Sequence, residues 1–187
     1  MGRPGSRPAE LALPVASLAA IRQSLIHEVG PDAAASSLRA AGYAAGDALF
    51  VALTQPFSAA GEANAQAVGE IPADAFWRRL SQLFSTRGWG SLSHSPAHPG
   101  VGALETSNWV EAVPYSEPRP SCFFTTGLLA NLLGRAAGED IAVLEVECRS
   151  AGHHNCRFLF GAPVTLDTLY GRLRTGEAVD SSIAALV

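Results

Sequence analysis

Residues 145–161 read EVECRSAGHHNCRFLFG. An apolar run carrying two acids closes on Cys148, a polar turn with Gly152 and two histidines follows, and Cys156 opens a second apolar run. Two short strand-like runs around such a turn predict an antiparallel hairpin over 141–148 and 156–160, with a cysteine on each side of its mouth. The chain has three cysteines in all, so two of them at one hairpin call for a chemical reason. The third, Cys122, stands in EPRPSCFFTTGLLANLLGRAAG, where prolines precede an apolar run closed by Gly134 or Gly138. That pattern predicts a helix with Ser121 as N-cap and Cys122 in the first turn, where free amides and the helix dipole favour a thiolate.

Further upstream, VGALETSNWVEAV and WGSLSHS read as short antiparallel strands separated by turn residues. Before them, Pro72 opens a helix with Phe76, Leu80, Leu83 and Phe84 on one face, ended by Gly88. Leu18, Ile21, Leu25 and Val29 recur at helical spacing in a helix over 15–29, stopped by Gly30-Pro31. Asp32 is the expected cap of an Ala-rich helix running to about Thr54, in which Gly42 and Gly46 permit close packing or a dimer seam. Residues 58–70 read as a polar connection, and 1–12 as a disordered segment rich in Gly, Pro and Arg. A last helix over about 165–185 contains Gly171 and Gly176 and is open to a break. The remainder, 13–187, reads as one domain.

Composition narrows the function classes. The chain has 187 residues, 48% of them hydrophobic, enough to fill a core without disulfides. A net charge of −4 argues against nucleic-acid binding. No apolar run reaches the ~18–20 residues that span a bilayer. The run at 11–21 is broken by Pro14 and is not read as a leader, so a cytoplasmic protein is expected. All 13 basic residues are arginine; without lysine a phosphate-binding P-loop is excluded. Neither a G-x-G-x-x-G turn nor a Ser-His-Asp set is found, so an enzyme is the less favoured class.

Thiols in a reducing compartment serve metal or redox chemistry more often than structural disulfides. Three cysteines at element ends, plus one more donor, would complete a tetrahedral zinc site. The spacing leaves the fourth donor open among Glu145, Glu147, His153 and His154. In a regular strand Glu145 and Cys148 point to opposite faces, so Glu145 joins Cys148 only through a bulge.

EVECRSAGHHNCRF resembles the signature of the 4-vinyl reductase domain family, and SNWVEAVPYSEPRPSCFFTTGLLANLLGR is similar to that family's lead-in. The resemblance is strong over roughly 75–162. It implies an α+β fold shared with TRAPP vesicle-trafficking subunits, with helices packed on an antiparallel sheet, and a homodimer. By similarity to the sensor domains of aromatic-responsive regulators it implies structural zinc held by Cys122, Glu145, Cys148 and Cys156. It also implies a small hydrophobic or aromatic ligand between helices and sheet. The candidate lining is Phe76, Trp77, Leu80, Trp89 and His94, together with Trp109, Phe123 and Phe124; Trp109 and His94 are candidates for orienting a polar group. The chain holds neither an ATPase motif nor a DNA-binding helix pair, so output from such a sensor, carrier or adaptor would need a partner protein. The alternatives are an accessory protein or reductase in tetrapyrrole (bacteriochlorophyll) synthesis and a structural interaction subunit.

Overall fold

The computed structural model describes residues 10–54 and 71–186. Helices α1 (Val15–Val29), α2 (Pro31–Thr54) and α3 (Ala73–Ser85) precede strands β1 (Ser93–His98) and β2 (Val101–Thr106). Helix α4 (Phe123–Ala137), strands β3 (Ala142–Glu147) and β4 (Cys156–Gly161), and helices α5 (Pro163–Arg174) and α6 (Val179–Ala184) follow. The four strands form one antiparallel sheet in the order β1-β2-β4-β3. This is the α+β arrangement expected.

Alternation along the strands builds two cores. Leu104, Phe158 and Cys156 face α3 and α4, meeting Leu80, Leu83, Phe84, Leu128, Leu129 and Leu132. The next residues in register, Val101, Ala103 and Leu159, face α5 and α6 and meet Leu166, Leu169 and Ile183. Each fully buried leucine or phenylalanine removes enough apolar surface from water to contribute ~1.5–3 kcal/mol before chain entropy is set against it.

Helices α2 and α4 make the closest pairing. A Cβ on Gly42 would strike the Phe124 carbonyl oxygen, and one on Gly127 would strike that of Arg39. Gly46 likewise abuts Asn131. Gly42 and Gly46 therefore serve contact within the chain, which corrects their reading as a dimer seam.

Several local expectations are also corrected. Pro31 rather than a cap at Asp32 begins α2, since proline's fixed φ suits the first helical position. Cys122, with non-helical φ −78 and ψ 60, is the N-cap residue of α4 in place of Ser121. The Trp109–Ala112 stretch is a turn that carries Trp109 into the core, not a strand. The C-terminal helix breaks at Gly176 (φ 87), while Gly171 remains helical. The expected N-terminal disorder falls mainly on residues 1–9, and the connection at 58–70 wholly, outside the described residues. Among the described residues no helix is long and apolar enough to cross a membrane.

Candidate metal centre

Three elements deliver four donors to one point. Cys122 sits where the chain enters α4, Glu145 lies in β3, and Cys148 and Cys156 flank the turn between β3 and β4. The parity objection to Glu145 is removed by the backbone. Glu145 pairs with Phe158 and Glu147 with Arg157, so Val146 is an extra residue in β3. That bulge swings Glu145 to the cysteine side. Glu147 instead lies 3.8 Å from Arg157, and the His153 Nδ1 sits 3.2 Å from the Cys148 carbonyl oxygen, bracing the turn.

All three cysteines are free and fully buried, and Glu145 is 8% exposed. The donor atoms of the four residues lie within 4.8 Å of one another. Cys122 Sγ is 3.7 Å and Cys156 Sγ 3.9 Å from Cys148 Sγ. A tetrahedral ion with metal–sulfur bonds of ~2.3 Å sets its sulfurs about 3.8 Å apart. The Glu145 Oε2 accepts the Cys122 N–H at 2.8 Å, while its Oε1 is buried without a partner. The donor set and the orphaned oxygen both fit a divalent, thiophilic cation.

The electrostatics agree. Hydrogen bonds from Cys122 and Cys156, then from Ser150, hold the Cys148 thiol far below its ordinary value. Cys122 is pushed well up because it donates to Cys148 and Cys156 and is buried. For Cys156, hydrogen bonding with Cys122 favours the thiolate, but Cys148 and burial outweigh it and the thiol is raised. Glu145 is raised well above the carboxylate range by burial and then by the Cys148 charge. Without a cation the cluster thus favours a single thiolate shared by three sulfurs; a dication removes the repulsion that keeps the other groups protonated.

Two buried groups escaped the sequence reading. Glu111, 7% exposed, accepts the Phe124 N–H on Oε1 and the Thr125 N–H on Oε2, both at 2.9 Å. Burial raises its carboxyl above the ordinary range, opposed by the Thr125 hydrogen bonds. Arg22, 3% exposed, donates to Ser121 Oγ at 3.1 Å and lies 3.3 Å from Glu117, tying α1 to the loop before Cys122. The available signal for Glu111 was an acid upstream of a helix that lacks a polar cap of its own.

The eight candidate pocket residues do not line one cavity. Leu80 and Trp109 are buried, and Phe76 is 8% exposed, within the α3–α4 core. The Trp109 indole N–H is taken by Thr125 Oγ1 at 2.6 Å, so it is not free to orient a ligand. Trp89 stacks on Phe124 at 5.8 Å, and Phe123 lies under the Arg39 guanidinium at 4.9 Å. Trp77 and His94 stack at 3.9 Å and, with Ser81, Gln82 and Leu92, line a groove of about 690 Å³. A second groove of about 340 Å³ runs past Tyr43, Thr126, Ala130 and Val143.

Residues 103–162, which run from β2 through α4 and the cysteine hairpin, match the 4-vinyl reductase domain family. The chain carries a 4-vinyl reductase domain. No curated protein matches the sequence. Among solved structures, the phenol-responsive sensory domain of the transcription activator PoxR, crystallised with phenol, superposes with a TM-score of 0.66. It is 15% identical, over 90% of this chain and 84% of that one. A vinyl-4-reductase family protein from Methanocaldococcus jannaschii superposes with a TM-score of 0.50 at 20% identity, over 81% of this chain and 82% of that one. At these identities the likeness is one of fold.

Proposed function

We propose that this 4-vinyl reductase domain holds a structural zinc ion on Cys122, Glu145, Cys148 and Cys156 and binds a small hydrophobic or aromatic molecule, as a sensor, carrier or adaptor. The observation that carries the metal reading is the convergence of four buried donors within 4.8 Å. Four protein ligands leave no open position for a catalytic water, which makes the ion a clamp between α4 and the β3–β4 hairpin and not a reaction centre. Support for a small apolar ligand comes from the fold shared with a phenol-responsive sensory domain. The grooves at Trp77–His94 and at Tyr43–Val143 are the entry points such a molecule would use. A homodimer belongs to the same proposal: Val15, Ile21 and Val29 of α1 are each about half exposed, an aliphatic face that a second copy would cover.

Native mass spectrometry of gently purified protein reads all three parts at once. The expected species is a dimer with one zinc per chain and an added small-molecule mass. Cys156→Ala should lose the zinc. Full zinc occupancy in that variant would reject the ligand set, and a wild-type protein that takes up no zinc would reject the metal reading altogether.

A further inference from the structure

We propose that Glu111 is a positioning residue for the metal centre, acting through the first turn of α4. The inference rests on the zinc reading above. Cys122 provides both a sulfur donor and the N–H that fixes Glu145, so the geometry of half the site depends on how the chain enters α4. That entry has no side-chain cap of its own. The next free amides, those of Phe124 and Thr125, are held by the two oxygens of Glu111. The carboxylate thus does for α4 what a capping side chain does elsewhere, but from a separate loop.

Its direction is fixed in turn. Thr125 Oγ1 gives its single proton to Glu111 Oε2 at 2.6 Å and accepts the Trp109 indole N–H at 2.6 Å. Trp109 is wedged against Phe84 and Phe158. A buried relay, Trp109 to Thr125 to Glu111, therefore anchors the metal-binding end of α4 to the aromatic core. Outer partners of this kind orient ligands, and their loss weakens metal binding about 10–100-fold.

Glu111→Gln keeps the shape but sets an amide NH₂ against a backbone N–H. We expect its zinc affinity, measured by chelator competition, to fall about 10–100-fold. The rise in melting temperature on adding zinc should shrink with it. Thr125→Val leaves the carboxylate but cuts the relay, and should weaken zinc about tenfold. A purely structural Glu111 would lower the melting temperatures of zinc-free and zinc-loaded protein equally and leave the affinity unchanged. That result overturns the proposal, as does an unchanged affinity in Thr125→Val should Glu111→Gln not fold. Wild-type protein that binds no zinc would overturn the metal reading and this proposal together; wild-type binding with unaltered variants overturns this proposal alone.

Discussion

Gly127→Ala sets two effects of opposite sign against each other at the α2–α4 contact. In a helix interior, exchanging glycine for alanine stabilises by about 1 kcal/mol, because the unfolded chain has less freedom to lose. At Gly127 the added methyl meets the backbone carbonyl of Arg39 on the facing helix. Overpacking costs about 1–3 kcal/mol, and a backbone collision cannot be relieved by a change of rotamer, which places it at the upper end. The net loss should be about 2 kcal/mol. For a chain of this size that lowers the melting temperature by roughly 4–8 °C. Gly171, in the interior of α5, has no neighbouring atom within 4 Å of where an alanine methyl would stand, so Gly171→Ala should show the propensity gain alone, about 1 kcal/mol. Thermal and urea unfolding followed by circular dichroism reads both variants. If Gly127→Ala melts at or above the wild type, the close α2–α4 approach is not what limits that position.

Arg22→Ala removes a buried cation from Ser121 and Glu117 and should lose about 3 kcal/mol; a loss under about 1 kcal/mol in urea titration would mean that α1 is held by its apolar contacts instead. Burial lowers the His94 pKa below the ordinary 6.5. A base harder to protonate when folded contributes stability that is complete above 6.5 and is lost as pH falls toward the lowered value. An imidazole NMR titration midpoint at or above 6.5 would instead show that attraction of the imidazolium to the Trp77 face outweighs burial. Tyr115 is 84% exposed at φ 57, a left-handed conformation that costs a side chain about 1–2 kcal/mol. Tyr115→Gly should therefore gain about 1 kcal/mol, and a loss would show that the ring's packing over Gly152 exceeds the strain.

The parts of the fold that were legible are those governed by local pattern. The 3.6-residue spacing from Leu18 to Val29 and the Gly30-Pro31 stop define α1, and the Cys148–Cys156 turn defines the hairpin. What could not be read depends on partners distant in sequence. Trp109-Val-Glu-Ala alternates like a strand, yet the indole is drawn into the α3–α4 core and Glu111 beneath a helix that begins a dozen residues later. Strand periodicity set Glu145 opposite Cys148; the bulge at Val146 that reverses this is a property of pairing with β4, not of β3 alone. Aromatic residues grouped as one lining are divided between the core and two surface contacts, because composition marks which side chains avoid water but not which wall they join.

The most direct test of the clamp is X-ray absorption at the zinc edge of protein loaded with one equivalent of zinc. The account predicts three sulfur neighbours at about 2.3 Å and one oxygen at about 2.0–2.2 Å, with the oxygen shell altered in Glu145→Ala. Two or more imidazole nitrogens in the first shell, or a shell of light atoms lacking sulfur, would contradict it.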